Sequence, residues 1–206
     1  MLEDLDKLIS FVKKEYKVLN LKWEKSNYYT EINLKNNKVL NLLNNEKILH
    51  TIFNYREFIN EHNIQLVNDF KQFNNEKVKI NTRTKTKNSI EFKMKNYIQN
   101  HEDGKVSINK CFNDIFGIRI ICLEELTYEQ ISKFMNYKYR DLKCINSSKQ
   151  EYKATHIYFK QDNYKFQWEL QIWNKKDEIN NINSHEKYKQ EYIKWEKENR
   201  GGNNQW

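Results

Sequence analysis

Apolar residues recur every three or four positions through the first third of the chain. The spacing is clearest in two stretches, Leu5, Leu8, Ile9 and Val12, and Ile59, Ile64, Val67 and Phe70. Such spacing places apolar side chains on one face of an α-helix. Polar residues interrupt the pattern near 25–27 and 36–37. We therefore predict helical hairpins from Leu2 to about Asn74, broken at those two points.

Three further stretches have helical spacing. The first, Ser89 to Asn100, has a stripe formed by Ile90, Met94, Tyr97 and Ile98. We predict a helix there with Ser89 as its N-cap. A second helix is predicted from Thr127 to Tyr139. A third is predicted from His185 to Asn199, where the aromatic residues at helical spacing are Tyr188, Tyr192 and Trp195.

The pattern changes to that of β-strands between these helices. Ile115 to Leu123 is almost uninterrupted Ile, Phe and Cys, which is typical of a strand buried on both faces. Thr155–Lys160 and Lys165–Trp173 both alternate apolar and polar residues, and 161–163 between them reads Gln-Asp-Asn. Two alternating segments joined by turn residues predict a β-hairpin.

Length and composition narrow the class of protein. The 206 residues correspond to one domain with helical additions, and 38% hydrophobic with 14% aromatic residues are enough for a packed core. The sequence has no apolar run near the roughly 18 residues that a membrane span needs, and its acidic start, Met1-Leu2-Glu3-Asp4, is unlike a signal peptide. We expect a cytoplasmic protein without a membrane partner.

The charge and the cysteines add two expectations. A formal net charge of +8 favours polyanionic ligands, nucleotides or nucleic acid among them. Cys111, Cys122 and Cys144 lie in or near apolar segments without CxxC spacing. We interpret them as reduced core residues.

The strand alternation brings out candidate chemistry. In the last predicted strand, Glu169 and Gln171 share one face; in the earlier strand Arg119 and Gly117 do, with Asp114 just before it. If the two strands are neighbours, these polar groups converge, and a divalent cation such as Mg²⁺ would suit two nearby carboxylates. The alternative is structural: Asp114 caps a turn, Glu169 pairs with a surface lysine, and Arg119 supports the fold.

Two other segments have the composition of a binding site. Residues 83–89, Arg-Thr-Lys-Thr-Lys-Asn-Ser, place cations and hydroxyls before a predicted helix, where phosphates bind well. Tyr152 and His156 end a polar loop, and the first could stack on a base while the second contacts a phosphate or sugar. The alternatives are a solvated basic loop, a core tyrosine and an ordinary strand histidine.

Taken in order, these segments resemble the synthetase domain of the RelA/SpoT family. The similarity extends from about Lys79 to Lys189 and consists of motifs of the following residues: Arg83, Lys85 and Ser89 with Lys93 one turn later; Asp114, Gly117 and Arg119; Tyr152, Lys153 and His156; Glu169, Gln171 and Ile172; and more loosely His185, Tyr188 and Lys189.

The resemblance implies an α+β fold, a mixed β-sheet flanked by helices, with a helical N-terminal region and a C-terminal helix. It also implies transfer of the β,γ-pyrophosphate of ATP to the ribose 3′-hydroxyl of an acceptor nucleotide. The division expected is 1–76 for the helical region, 77–199 for the synthetase domain and 200–206 for a loose tail.

The resemblance carries residue roles across position by position. The residues expected to bind ATP are Arg83, Lys85, Ser89, Lys93 and Arg119. Asp114 and Glu169 would be the catalytic pair and the Mg²⁺ ligands, with Glu169 taking the proton of the 3′-hydroxyl. The residues expected on the acceptor are Tyr152, Lys153, His156 and Gln171.

The departures from the family pattern lie on the acceptor side. The family commonly has Gly, Arg-Thr and Glu where this chain has Glu151, Trp173-Asn174 and Ser184. Three hypotheses follow: a small alarmone synthetase acting on GDP or GTP; a toxin that modifies the 3′ end of tRNA; and a non-catalytic nucleotide- or RNA-binding remnant. An antitoxin or a second copy of the chain is a possible protein partner, and DNA is not expected. Neither His50 nor His62 is followed by Asp, so the hydrolase domain of the long family members is expected to be absent.

Overall fold

The computed structural model describes the backbone of residues 1–200, and their side chains except those of 188–189, 191–192 and 195–200. The side-chain predictions for Tyr188, Lys189, Tyr192 and Trp195, and the prediction of a loose tail at 200–206 from residue 201 onward, therefore lie outside the described residues. Arg200, predicted to begin that tail, is the last residue of a helix. None of the described helices is both long enough and apolar enough to cross a bilayer.

Six α-helices occur in this part of the chain: Leu2–Glu24 (α1), Glu46–Lys71 (α2), Lys87–Asn100 (α3), Ile108–Cys111 (α4), Tyr128–Lys138 (α5) and Glu178–Arg200 (α6). A 3₁₀ segment, Val39–Leu43, separates α1 from α2. Helices α2 and α5 begin with clear side-chain caps. Asn45 accepts a hydrogen bond from the Ile48 amide, and Thr127 forms a capping box with Gln130.

The five strands form one mixed sheet. They are Val78–Thr84 (β1), Phe116–Cys122 (β2), Lys143–Asn146 (β3), Thr155–Phe159 (β4) and Trp168–Asn174 (β5). Their order is β1-β2-β5-β4-β3; β2 and β5 are parallel, and the other neighbours are antiparallel. Strands and helices alternate irregularly, so the fold is α+β, as expected.

One face of the sheet is apolar and packs on α1 and α2. Trp168 lies at its centre, fully buried, with its ring against Tyr16 and Phe116 and its indole Nε1 donating to the Tyr55 hydroxyl at 2.9 Å. Tyr55 in turn stacks on Phe166 at 4.5 Å between ring centroids. The N-terminal helices and the sheet thus share one continuous core. The polar face of the sheet points the other way.

The structure confirms the helical spacing of α1 and α2, the strand around residues 115–123 and the pairing of β4 with β5. Two details of these predictions are wrong. No α-helix lies between Glu24 and Glu46, so the break is longer than predicted, and β5 begins at Trp168, so residues 160–167 rather than a turn at 161–163 join it to β4.

The proposed N-cap is wrong. Helix α3 begins at Lys87, and Thr86 is its cap, accepting from the Ser89 amide at 3.2 Å. Ser89 therefore lies inside the first turn. The sequence patterns did not predict β1 or β3, because β1 is rich in Lys, Asn and Thr and β3 has only four residues.

The cysteine interpretation agrees with the structure. Cys111 and Cys122 are buried and Cys144 is half-buried, and all three are free thiols. Burial raises the pKa of Cys111 and of Cys122 to about 12 and that of Cys144 to about 11. Thiols of this kind are poor nucleophiles at neutral pH.

The Tyr55–Trp168 hydrogen bond should contribute measurably to stability. Tyr55→Phe leaves the buried indole N–H of Trp168 without its partner, so we expect the free energy of unfolding to fall by about 1–3 kcal/mol. Denaturant titration measures this change. Tyr137→Phe, at a tyrosine that is 82% exposed, is the control and should change it by less than about 0.5 kcal/mol. Equal stability of the two variants would contradict the assignment.

Candidate active site

The polar face of the sheet gathers side chains from four strands. The register places Gly117 and Arg119 of β2 opposite Glu169 and Gln171 of β5. In the same two rows, β4 contributes Tyr158 opposite Glu169 and His156 opposite Gln171, and β1 contributes Arg83 opposite Gly117. Residues paired across strands point to the same side, so these groups share one patch.

Asp114, which precedes β2, holds two lysines. Its Oδ2 lies 2.7 Å from Lys85 Nζ and its Oδ1 lies 3.0 Å from Lys93 Nζ. All three side chains are at most 15% exposed. Burial alone would raise the pKa of Asp114, but the charges of Lys85 and Lys93 outweigh it and hold this pKa well below its usual range. Asp114 is therefore ionised and forms the centre of a buried ion-pair triad.

The backbone of Lys85 is held at both ends. Its amide donates to the carbonyl of Ile115 at 2.8 Å, next to Asp114, and its carbonyl accepts from Arg56 Nε of α2 at 3.1 Å. Arg56 also pairs with Glu57, which pairs with Lys87 at 2.8 Å. Because of these contacts, helix α2 positions the loop that carries Lys85.

Glu169 is a buried carboxylate surrounded by donors. Its Oε1 accepts from the Tyr158 hydroxyl at 2.9 Å and lies 2.9 Å from His156 Nδ1, and its Oε2 accepts from Gln171 Nε2 at 2.7 Å. Burial raises the pKa of Glu169 and the charge of Asp114 adds to this, but the bond to His156 outweighs them and the pKa is lowered. Glu169 is therefore ionised, with one donor on Oε2 against two contacts on Oε1.

A directed chain of hydrogen bonds links Arg119 to Glu169. Arg119 Nε donates to Gln171 Oε1 at 3.1 Å, and Gln171 Nε2 donates to Glu169. Arginine only donates and an ionised carboxylate only accepts, so the orientation of the Gln171 amide is determined. On the other side, His156 Nδ1 carries the hydrogen of its contact with Glu169, because an ionised carboxylate only accepts, and His156 Nε2 lies 2.9 Å from the Tyr152 hydroxyl.

Aromatic rings close the side of the patch that lies next to helix α6. The Arg119 guanidinium carbon lies 3.8 Å from the centre of the Trp173 ring, and His185 of α6 stacks on Trp173 at 5.5 Å with an interplanar angle of 24°. Tyr152 meets Trp173 and His185 edge-on, and its hydroxyl accepts from Trp173 Nε1 at 3.3 Å. Burial is the main reason why the pKa of Tyr152 rises to about 12.

Helix α6 is fastened over this cluster by Asn181. Its side chain is fully buried, accepts from the Lys153 amide at 2.7 Å and donates to the Lys153 carbonyl at 2.9 Å. Arg119 Nη2 lies 3.3 Å from His185 Nε2. These contacts join α6 to both the Tyr152 loop and the arginine of β2.

The structure therefore brings together most of the residues singled out in the sequence. Asp114 caps no turn, and Glu169 pairs with His156 rather than with a surface lysine. Lys85 is buried, so the segment 83–89 is more than a solvated loop. Arg83 and Lys153 are exposed at the edge of the patch. Ser89 lies in the first turn of α3, where its Oγ accepts from the Thr86 hydroxyl.

Three contributing residues were missed by the sequence reasoning. Tyr158 was within reach, because strand alternation places it on the same face as His156. Arg56 gave no signal, because it lies in α2, about thirty residues before the nearest motif residue that it touches. Asn181 gave none either, because a single asparagine in a polar helix is unremarkable until its burial is known.

The two carboxylates fit a divalent cation that brings oxygen ligands of its own. No cluster of three or more Asp, Glu, His or Cys side chains able to hold a metal occurs within the described part of the chain. Asp114 and Glu169 retain unused acceptor positions, since a carboxylate offers about four. Mg²⁺ commonly takes one or two carboxylates and completes its shell with water and phosphate oxygens. A metal–phosphate complex therefore suits this site better than a bare ion.

Comparison with known proteins finds structural neighbours only. No protein-family model matches the chain, and no curated protein does. It is similar to small alarmone synthetase 1 from Bacillus subtilis, with 17% identity and a TM-score of 0.41 over 72% of this chain and 82% of that one. The structure of the same protein bound to its product pppGpp has 20% sequence identity and a TM-score of 0.41, and the match covers 71% of this chain and 83% of that one. Small alarmone synthetase 2 from Bacillus subtilis has 16% sequence identity and a TM-score of 0.37, and the match covers 70% of this chain and 80% of that one.

His185 should titrate well below neutrality. Its burial, then the charges of Arg119 and Arg83, lower its pKa to about 4. The unfolded chain binds this proton with an ordinary pKa of about 6.5, so protonation favours unfolding as the pH falls from about 6.5 to 4. We expect the His185 ring resonance in NMR spectra to shift with a midpoint near 4.

The matching stability measurement compares the chain with its His185→Gln variant. Between pH 7 and 4 the parent should lose up to about 3 kcal/mol of unfolding free energy more than the variant does. The control variant is His50→Gln, at an exposed histidine of α2. A midpoint above 6 for His185, or equal pH slopes for parent and variant, would contradict the assignment.

Proposed function

We propose that the chain is a pyrophosphokinase that transfers the β,γ-pyrophosphate of ATP to the ribose 3′-hydroxyl of an acceptor. The observation that supports this most is that the Asp114–Lys85–Lys93 triad at the edge of the sheet lies near enough to Glu169 for the Asp114 charge to act on its carboxylate, while Gln171 joins Glu169 to Arg119. Apart from Gln171, these are the residues that the RelA/SpoT-like motifs assign to the donor and to catalysis.

On the donor side, positive charge is the main requirement. The residues proposed to bind the ATP phosphates are Arg83, Lys85, Ser89, Lys93 and Arg119. Cations held rigidly in a partly buried site stabilise the charge that develops on the transferred group, and this supplies most of the acceleration in phosphoryl transfer. Asp114 and Glu169 would hold Mg²⁺, which when bound neutralises phosphate charge.

The transfer balances with the residues present. A bond forms between the 3′-oxygen and the β-phosphorus, the bond between the β-phosphorus and the bridging α,β-oxygen breaks, and AMP leaves with that electron pair. The hydroxyl proton passes to Glu169, whose Oε2 has a single donor, Gln171. The lowered pKa of Glu169 keeps it ionised and able to accept the hydroxyl hydrogen bond at neutral pH.

The acceptor is proposed to be GDP or GTP, placed against Tyr152, Lys153, His156 and Gln171. In the unliganded chain both polar atoms of Gln171 and both ring nitrogens of His156 contact protein groups. These two residues therefore act on the acceptor mainly by fixing Glu169 and Arg119. Tyr152 has its hydroxyl engaged, so its exposed ring edge and the charge of Lys153 would meet the acceptor directly.

A second acceptor, the 3′ end of tRNA, is supported by two exposed lysines at the mouth of the site. Lys13 and Lys138, at a distance from it, pair with Asp141 and Asp6 and serve as reference positions. Lys149 and Lys153, beside Tyr152, are exposed and form no ion pair with any described residue. Unpaired positive charge at the mouth of the acceptor side suits a polyanion larger than a nucleotide.

A transfer assay tests the activity and identifies the acceptor. ATP labelled in its β- and γ-phosphates is supplied with Mg²⁺ together with GDP, GTP or deacylated tRNA. We expect label on one acceptor class. Glu169→Gln should reduce the rate at least a hundredfold, because it removes the ionised carboxylate. Glu129→Gln, at an exposed glutamate of helix α5, is the matched control and should retain activity within threefold.

The outcomes separate the hypotheses. Label on a guanine nucleotide supports alarmone synthesis, and label on tRNA supports the second acceptor. No transfer to any acceptor by a folded chain would refute the proposed function and favour a non-catalytic binding protein. Asp114→Asn is a less clean test than Glu169→Gln, because it leaves two buried lysines without their counter-ion.

Salt dependence tests the tRNA acceptor separately. If Lys149 and Lys153 contact the RNA backbone, the double substitution to Gln should weaken tRNA binding and reduce the slope of log K against log salt by about 1–2. Filter binding at several salt concentrations measures this slope. Lys13→Gln with Lys138→Gln is the control pair. Unchanged slopes in the first double variant would exclude these lysines from the RNA contact.

A further inference from the structure

Both carboxylate oxygens of Asp114 are ion-paired. Each contacts one ammonium group, Oδ2 with Lys85 at 2.7 Å and Oδ1 with Lys93 at 3.0 Å. The three side chains are at most 15% exposed, so solvent screens them weakly. A divalent cation that used the remaining acceptor positions of Asp114 would therefore lie beside two ammonium groups.

The charge of the surrounding patch opposes a free cation as well. Two carboxylates, Asp114 and Glu169, face four cationic side chains: Lys85, Lys93, Arg83 and Arg119. The excess of two positive charges acts within the patch, since burial, followed by the charge of Arg83, lowers the pKa of Arg119, and burial with the charges of Lys93 and Arg83 lowers that of Lys85. A divalent cation entering alone would double this excess in a poorly screened site.

A triphosphate reverses the balance. Its four negative charges at neutral pH exceed the positive excess of the patch, and its oxygens are good acceptors for ammonium groups. Once a lysine contacts phosphate, one oxygen of Asp114 becomes available to a metal that already carries phosphate ligands. The backbone of Lys85 is fixed by Ile115 and Arg56, whereas Lys93 reaches Asp114 from helix α3 through its flexible stem.

We propose that Lys85 and Lys93 are counter-ions that hold the metal position at Asp114, so the site takes a divalent cation only as a metal–triphosphate complex. When the complex binds, the lysine ammonium groups leave the Asp114 carboxylate and contact phosphate oxygens instead. Lys93 makes the larger part of this change. This inference rests on the proposed function in taking a nucleoside triphosphate as the donor.

The test measures metal binding and not turnover. Mn²⁺ replaces Mg²⁺, and water-proton relaxation enhancement reports Mn²⁺ that is bound to the protein. The probes are Mn²⁺ alone and Mn²⁺ with α,β-methylene ATP. The methylene bridge between the α- and β-phosphorus of this analogue is not cleaved, so its pyrophosphate cannot be transferred. The blank contains the analogue and Mn²⁺ without protein. For the parent chain we expect no enhancement by Mn²⁺ alone up to 1 mM and clear enhancement with the analogue.

The lysine variants test the cause. Lys93→Met leaves Asp114 paired with Lys85 but frees one of its oxygens, so Mn²⁺ alone should bind at least tenfold more tightly than to the parent chain. Lys110→Met removes an exposed positive charge in the neighbouring helix α4 and should bind Mn²⁺ as the parent does. Lys85→Met serves as the second unlocking variant if Lys93→Met fails to fold, as judged by thermal unfolding.

The results are decisive in either direction. Equal Mn²⁺ affinity of the parent with and without the analogue, or no gain in either lysine variant, would overturn the proposal. The labelled-ATP assay keeps this failure separate from failure of the proposed function. Transfer without the lysine effect refutes only the counter-ion role, and the lysine effect without transfer supports the counter-ion role but refutes the enzymatic activity.

Discussion

The parallel pairing of β2 with β5 is the constraint on which the site depends. It joins segments about fifty residues apart and sets Arg119 beside Gln171 and Gly117 beside Glu169. The opposite faces of the same strands are buried against α1 and α2 through Trp168 and its neighbours. A shift of one residue would expose that apolar face and bury the polar one, so the core itself fixes the register of the functional groups.

Burial then determines how the charges must be arranged. A carboxylate removed from water is costly unless it is paired and hydrogen-bonded. Asp114 meets this requirement with two lysines, and Glu169 with His156, Tyr158 and Gln171. Both carboxylates remain ionised as a result. Lys85 and Lys93, which pair with Asp114, are also groups that a phosphate ligand would need, and this links the stability of the site to its proposed chemistry.

Helix α6 closes one end of the polar patch with aromatic side chains. Trp173 stacks with His185 and lies under Arg119. Asn181 fixes the helix to the Tyr152 loop through two hydrogen bonds to the backbone of Lys153. An aromatic cluster therefore covers this end of the patch, while cationic side chains surround Asp114 at the other end.

The sequence by itself determined the long helices, the buried strand at 116–122 and the β4–β5 pairing, because each has a clear hydrophobic period. It also determined which side chains of a strand share a face, and hence that Arg119, Glu169 and Gln171 could meet. The sequence did not predict the weakly apolar β1, the short β3 or the cap at Thr86, since the local residues there are compatible with several conformations. Only the tertiary structure decided that Lys85 and Lys93 share Asp114, that Arg56 holds the loop of Lys85 and that Asn181 anchors α6. Those contacts join residues distant along the chain, and burial, which no local pattern encodes, is what makes each pairing necessary.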